Sequence, residues 1–208
     1  MIEMSTLITY IPIVLGFVFI PGPATLLTVA RAVSSGTRVG IATGAGIAAG
    51  DVIHTLATAV GISALLAASA ALFGMIKYVG ATYLIYLGIR AILERSPASP
   101  VDRLPQISAR KAFRQAILTE LLNPKTALFF LAFLPQFVRP GDGFISLQLA
   151  TLGIIFVVLG LASTVVYAAT AARMGLFLRR NPAVLKWQGK AVGGIYCALG
   201  IRVALQEP

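Results

Sequence analysis

Cysteine and histidine are nearly absent from this sequence, which holds one of each, Cys197 and His54, in 208 residues. A single cysteine excludes an intrachain disulfide, and the two residues together offer no ligand spacing for a metal site. We therefore expect neither a metal nor a cofactor. Charged residues are scarce as well, at 12% against roughly 25% in soluble domains. The hydrophobic share of 58% instead predicts an integral membrane protein.

Acidic residues are few, since seven Asp and Glu stand against 17 Lys and Arg, a formal net charge of +10. The basic residues form no single polar face but lie in short gaps between apolar runs. This pattern argues against a nucleic-acid partner and is typical of a membrane protein that follows the positive-inside rule. The sequence also lacks a Walker A motif, a dinucleotide fingerprint and a nucleophile with a plausible base. We therefore do not expect an enzyme.

Six stretches are apolar and close to the length, about 20 helical residues, that a bilayer core requires. No basic residue precedes the first stretch, as a cleaved signal peptide would need, so we expect that stretch to be retained. The polar segment 94–111 separates residues 1–93 from residues 112–208. The stretches lie at residues 7–30, 39–66, 70–92, 113–137, 146–172 and 186–206. They predict an all-α membrane protein with three transmembrane helices in each half.

Lysine and arginine are unevenly divided between the two sides of this six-helix arrangement. Thirteen follow the first stretch, surround the central linker or join the last two stretches, whereas the opposite side receives Lys77, Arg139 and Arg202. Because cytoplasmic loops carry the excess of Lys and Arg, the richer side is predicted to be cytoplasmic. Both termini are then expected outside the cytoplasm.

The two halves contain similar segments in the same order. The first half ends its third stretch with a motif that returns at the end of the sixth, and a proline motif in the first stretch returns in the fourth. The matched segments are residues 23–27 and 124–128, 77–83 and 190–196, and 87–90 and 199–202. Because each half has an odd number of spans, the copies are expected to cross the membrane in opposite directions. Inverted repeats of this kind are a transporter architecture with a substrate site near the bilayer midplane.

Proline interrupts two of the predicted spans at matching places, Pro21-Gly22-Pro23 in the first and Asn123-Pro124 in the fourth. Proline removes a backbone donor and clashes with the preceding turn, so each motif is expected to break its helix. A break exposes a positive helix end at membrane depth, where it can hold a carboxylate. Each break can equally be a packing kink, but matched breaks in two halves favour a transport site.

Charged side chains lie at membrane depth in the second and fourth stretches: Asp51, Glu120 and Lys125. Each such charge costs on the order of 3 kcal/mol on insertion scales, so these groups are expected to pair, to be neutralised or to face water. The carboxylates can bind a substrate ammonium or a proton, or they can form structural pairs with Lys125. His54 follows Asp51 by one helical turn and can relay protons or simply pack.

Taken in order, these motifs resemble the LysE/RhtB family of amino-acid exporters. The resemblance implies a bacterial inner-membrane exporter, driven by the proton gradient and dimeric, with six helices in two inverted halves. It favours the branch that exports neutral amino acids such as homoserine and threonine. The residues that match the family motifs are Gly22, Pro23, Gly50, Asp51, Asn123, Pro124 and Lys125.

Two other functions are compatible with a hydrophobic chain of this size. A metal or cation exporter would need clustered Cys, His or Asp ligands, which one cysteine and one histidine cannot supply. A membrane assembly subunit that transports nothing would explain the hydrophobicity but would leave Asp51 and the matched breaks without a reason.

Overall fold

The computed structural model describes residues 2–19, 22–68, 70–93, 104–180 and 182–205, and within these ranges it contains helices and no strands. The predicted all-α class is therefore confirmed for this part of the chain. Pro21 and most of the central linker, residues 94–103, lie outside the described residues. The α-helices are α1 (Met4–Phe19), α2 (Pro23–Ser35), α3 (Thr37–Ala68), α4 (Ala70–Leu93), α5 (Ala109–Leu121), α6 (Pro124–Leu128), α7 (Ile145–Arg180) and α8 (Pro182–Leu205).

Both interrupted spans are bent pairs of helices. The axes of α1 and α2 differ by 49°, and α5 makes an angle of 47° with the helical segment 124–137 that follows it. Pro23 and Pro124 each occupy the start of the second helix of a pair, where a missing backbone N–H costs nothing. After α6 the chain tightens from a π-helical turn, Phe129–Phe133, into a 3-10 turn, Leu134–Phe137.

The length and apolarity of the helices identify this as a multi-pass membrane protein. Two described segments, Thr37–Gly61 of α3 and Ile145–Ala171 of α7, are long and apolar enough to cross a bilayer alone. The count rises to four if each bent pair is one span. Helices α4 and α8 do not meet the same criterion over their described residues, although Tyr196–Leu205 is a shorter apolar segment. Six spans therefore remain a prediction.

Helices α3 and α7 run antiparallel and pack closely through glycines. A Cβ atom at Gly40 would lie 3.1 Å from the Cβ of Ala168, and one at Gly153 would lie 2.6 Å from Oγ1 of Thr55. Gly153 lies as many residues after Gly40 as Ala168 lies after Thr55. The two contacts therefore join the same two positions of the two helices in exchanged order, and we call them reciprocal. Small residues permit this close approach of helix backbones.

Helices α4 and α8 repeat this arrangement. A Cβ atom at Gly88 would lie 2.6 Å from the carbonyl oxygen of Gly193, and one at Gly200 would lie 2.8 Å from that of Ala81. These contacts also pair rising residue numbers in one helix with falling numbers in the other. In both cases a helix of the first half therefore lies antiparallel against the helix in the matching position of the second half.

One basic residue from the predicted cytoplasmic gap is buried. Arg31, near the end of α2, donates from one guanidinium nitrogen to the carbonyl of Pro105 at 2.9 Å and from another to Oε1 of Gln115 at 2.8 Å. The hydroxyl of Ser35 accepts from the amide of Ile107. These contacts fasten the described end of the linker and the start of α5 to α2.

Candidate functional site

The break between α1 and α2 leaves carbonyl groups at the end of α1, and side chains of α7 donate to them. Ser163 Oγ donates to the carbonyl of Val18 at 2.9 Å, and the Tyr167 hydroxyl donates to that of Phe19 at 2.6 Å. A helix ends with carbonyls that have no partner within it, and these are costly to leave unsatisfied in lipid. The end of α1 is therefore attached to α7.

At the break between α5 and α6, a side chain of α3 donates to a carbonyl group near the end of α5 in the same manner. His54 Nε2 lies 3.1 Å from the carbonyl oxygen of Glu120, and because a carbonyl only accepts, the nitrogen donates. The imidazole also stacks on Phe130, with 5.7 Å between ring centroids. The His54–Glu120 bond is the counterpart of the Tyr167–Phe19 bond, because it joins the end of the first helix of a bent pair to a long helix.

Asn123 organises the start of α6. Its Oδ1 accepts from the amide of Lys125 at 3.1 Å, which is the usual role of an N-cap side chain. Its Nδ2 donates to both carboxylate oxygens of Glu120, at 3.2 and 3.3 Å, and lies 3.1 Å from Oγ1 of Thr126. The same residue thus starts a helix and holds the Glu120 carboxylate in place.

Lys125 is 8% exposed and reaches across to the first break. Its Nζ donates to the carbonyl of Phe17 at 3.1 Å and lies 4.2 Å from the centroid of the Phe17 ring. A cation over an aromatic face gains electrostatic stabilisation, more so when water is excluded. Gly22 makes room for this side chain, since a Cβ there would lie 3.3 Å from Lys125 Nζ.

Asp51 and Glu120 bring two carboxyl groups together, each residue being only 2% exposed. Both side chains line the same cavity as Lys125, so the three charged groups interact electrostatically. Oδ1 of Asp51 has no hydrogen-bond partner within the described part of the chain. A buried carboxylate oxygen without a partner is costly, which marks this atom as available to a ligand.

These side chains surround a cavity of about 50 Å³ between the two breaks. This volume admits a few water molecules, because one water needs about 10–15 Å³. The lining includes Gly22, Thr25, Asp51, Glu120, Asn123 and Lys125.

Gly22, Asp51, Asn123 and Lys125, which match the motifs found in the sequence, all line this cavity. Residues 15–207 match the LysE type translocator family. The chain belongs to this family. It is 31% identical over 185 residues to the homoserine/homoserine lactone efflux protein of Salmonella typhimurium, covering 88% of each chain. It is 32% identical over 199 residues to an uncharacterized membrane protein of Pseudomonas aeruginosa, covering 92% of each chain. No solved structure matches.

In this LysE type translocator, the predicted site residues lie close together. The cavity is lined by Asp51, Glu120, Asn123 and Lys125. His54 is not among the lining residues and is hydrogen-bonded to the main-chain carbonyl of Glu120. The roles assigned to these residues remain predictions. Sequence reasoning did not single out the members contributed by α7, because that helix carries no sharp motif. Phe156, Gly160 and Thr164 line the cavity, and Ser163 and Tyr167 bind the end of α1.

The two carbonyl contacts of the translocator lead to a prediction about His54. We expect His54→Gln to retain most efflux, because glutamine keeps a donor for the Glu120 carbonyl. Glutamine cannot relay a proton, so retained efflux would show that transport does not need a relay at this position. Tyr167→Phe should lower the free energy of unfolding by about 1–2 kcal/mol through loss of one buried hydrogen bond. Thermal unfolding in detergent and efflux assays measure these effects. Loss of efflux in a stable His54→Gln variant would instead favour the proton-relay role.

Proposed function

We propose that this protein is a secondary transporter that exports a small amino acid or a derivative across the bacterial inner membrane in exchange for protons. The observation that carries the proposal is Oδ1 of Asp51, which has no hydrogen-bond partner among the described residues and lies with Glu120 in a cavity between two helix breaks. Membrane charges are rare and mark substrate or proton pathways. Family membership and the efflux protein of Salmonella typhimurium support an exported amino acid.

The cavity offers separate places for the two charged groups of an amino acid. The ammonium group is placed against Asp51 and Glu120, which supply the acceptor oxygens. The carboxylate is placed at the start of α2, where the N-cap Gly22 has no side chain to occupy the free backbone donors. Lys125 stands next to Gly22 and adds a positive charge on that side.

Exchange with protons follows from the charge balance of the cavity. Asp51 and Glu120 are two like charges at close range, and Lys125 compensates one of them. The other is compensated by a proton or, with the substrate carboxylate at the start of α2, by the substrate ammonium, and the two cations compete for the same oxygens. A carrier that binds the proton and the substrate alternately at one site exchanges one for the other.

The contacts between helices support alternating access by two inverted repeats. The reciprocal pairs Gly40–Ala168 and Thr55–Gly153 are those expected of a two-fold relation between α3 and α7, and the contacts of α4 and α8 follow the same pattern. The bonds at the ends of α1 and α5 are reciprocal as well. The site lies between the repeats, so rocking one against the other opens it to either side. The distribution of Lys and Arg places both termini outside the cytoplasm, and we expect a homodimer because the family resemblance implies one.

Reconstitution into proteoliposomes tests the proposal. Vesicles containing the purified protein are loaded with a labelled amino acid such as homoserine, threonine, leucine or lysine, and its release is followed with and without a pH gradient. We expect release of at least one neutral amino acid, faster with protons supplied on the opposite side, and acidification of the lumen as it leaves. Release at the rate of protein-free vesicles for every compound would refute the exporter assignment, and release that is insensitive to pH would refute proton exchange.

A further inference from the structure

At the interface of α3 and α7, close packing of the two helices explains why each glycine is needed, with one exception. A Cβ atom at Gly44 would lie 2.6 Å from Oγ1 of Thr164, and Gly40 and Gly153 are similarly restricted. A Cβ atom at Gly160 would meet Oδ2 of Asp51 at 3.6 Å and, beyond it, only Val18 at 3.9 Å among described atoms. Both are ordinary contact distances, so helix packing does not require glycine here.

The bare surface at Gly160 faces the cavity. Phe156 and Thr164, four residues before and after it on the same side of α7, also line the cavity. The position on α3 related to Gly160 by the reciprocal contacts is Ile47, which also lines the cavity but has a branched side chain. At Gly160 the wall of the cavity beside Asp51 therefore has no side chain.

We propose that Gly160 sets the size limit for the substrate side chain. This inference rests on the proposed function: with the ammonium group at Asp51, the side chain extends along α7 over Gly160. Phe156 supplies an apolar boundary, and the Thr164 hydroxyl supplies a polar one that now donates to its own helix at Leu161. The surface suits zwitterionic amino acids with a short side chain that ends in a polar group.

Substitution of Gly160 by alanine tests this role. Because the added methyl group meets its neighbours at 3.6 Å or more, the fold should be retained. One methyl group in a close-fitting pocket changes discrimination by about tenfold or more. We therefore expect Gly160→Ala to reduce release of the larger transported amino acids by about tenfold relative to the smallest one, measured as rate ratios over serine, threonine, homoserine and leucine.

Gly16→Ala is the matched control, because it adds the same group to a helix where no described atom lies within 4 Å. Its rate ratios should equal those of the unaltered protein. Ratios in Gly160→Ala within about twofold of the unaltered protein, or an equal loss for every compound, would overturn the inference while leaving the proposed function standing. Failure of the unaltered protein to release any amino acid would overturn both.

Discussion

Asp51→Asn is expected to reduce efflux by about 100-fold, while the protein still inserts and folds. The substrate ammonium would lose its buried charged partner, and such a loss costs about 2–5 kcal/mol. The amide keeps the size of the carboxyl group but cannot bind a proton or balance a substrate ammonium. Stability should change little, because the amide also relieves the repulsion between two neighbouring carboxylates, and Oδ1 has no hydrogen bond to lose within the described residues. Efflux from preloaded proteoliposomes, with thermal unfolding of the same preparation, measures both effects.

The control for this variant is Asp142→Asn, at the end of the 3-10 turn Pro140–Asp142 that precedes α7. It makes the same chemical change away from the cavity and should transport at the rate of the unaltered protein. Full transport by Asp51→Asn would refute the assigned role of Asp51. Loss of transport together with loss of the folded protein would show that the Asp51–Glu120–Lys125 cluster is structural, the alternative that the sequence left open.

The second large effect is expected at Gly46, where alanine should destabilise the protein by about 1–3 kcal/mol, the usual cost of overpacking. A Cβ atom there would collide with the carbonyl oxygen of Phe113 and lie 2.8 Å from the Cβ of Ala116. A backbone carbonyl cannot move aside without separating α3 from α5. That separation would also displace Glu120, the last buried residue of α5, from Asp51. Thermal unfolding in detergent measures the loss.

Gly61→Ala is the matched control, because Gly61 lies on the same helix and no described atom comes within 4 Å of the added Cβ. Alanine is favoured over glycine in a helix by about 1 kcal/mol, so this variant should be as stable as the unaltered protein or more so. The two substitutions are chemically identical, yet Gly46→Ala should lower the free energy of unfolding and Gly61→Ala should leave it unchanged or raise it. Equal stability of both variants would show that α3 and α5 are not in close contact.

The proline breaks and the buried charges could be predicted from the sequence because their causes are local. Pro124 removes a backbone donor and clashes with a preceding helical turn, and Asp51 in an apolar run is costly to bury in any fold. The same reasoning predicted Asn123 at a break but not its two roles, as N-cap of α6 and as donor to Glu120. The six predicted spans stay a prediction, because within the described residues only α3 and α7 contain segments long and apolar enough to cross a bilayer alone.

The α7 residues of the site could not be predicted. Gly160 has the same local properties as Gly153, yet one borders a cavity and the other is packed against Thr55. Tyr167 and Ser163 become significant because the end of α1 lies beside them. His54 likewise follows Asp51 by one turn, but the structure joins its ring to the main chain of Glu120.

Membrane insertion, the positions of the helix breaks and the charges that need compensation could all be predicted from the amino-acid sequence. These are properties of single residues in lipid, where an unsatisfied backbone group or charge is costly in any fold. The groups that provide the compensation, and the glycine that borders the cavity, became known from the folded structure. Those outcomes depend on contacts between helices that are distant in the chain, and local sequence does not encode such contacts.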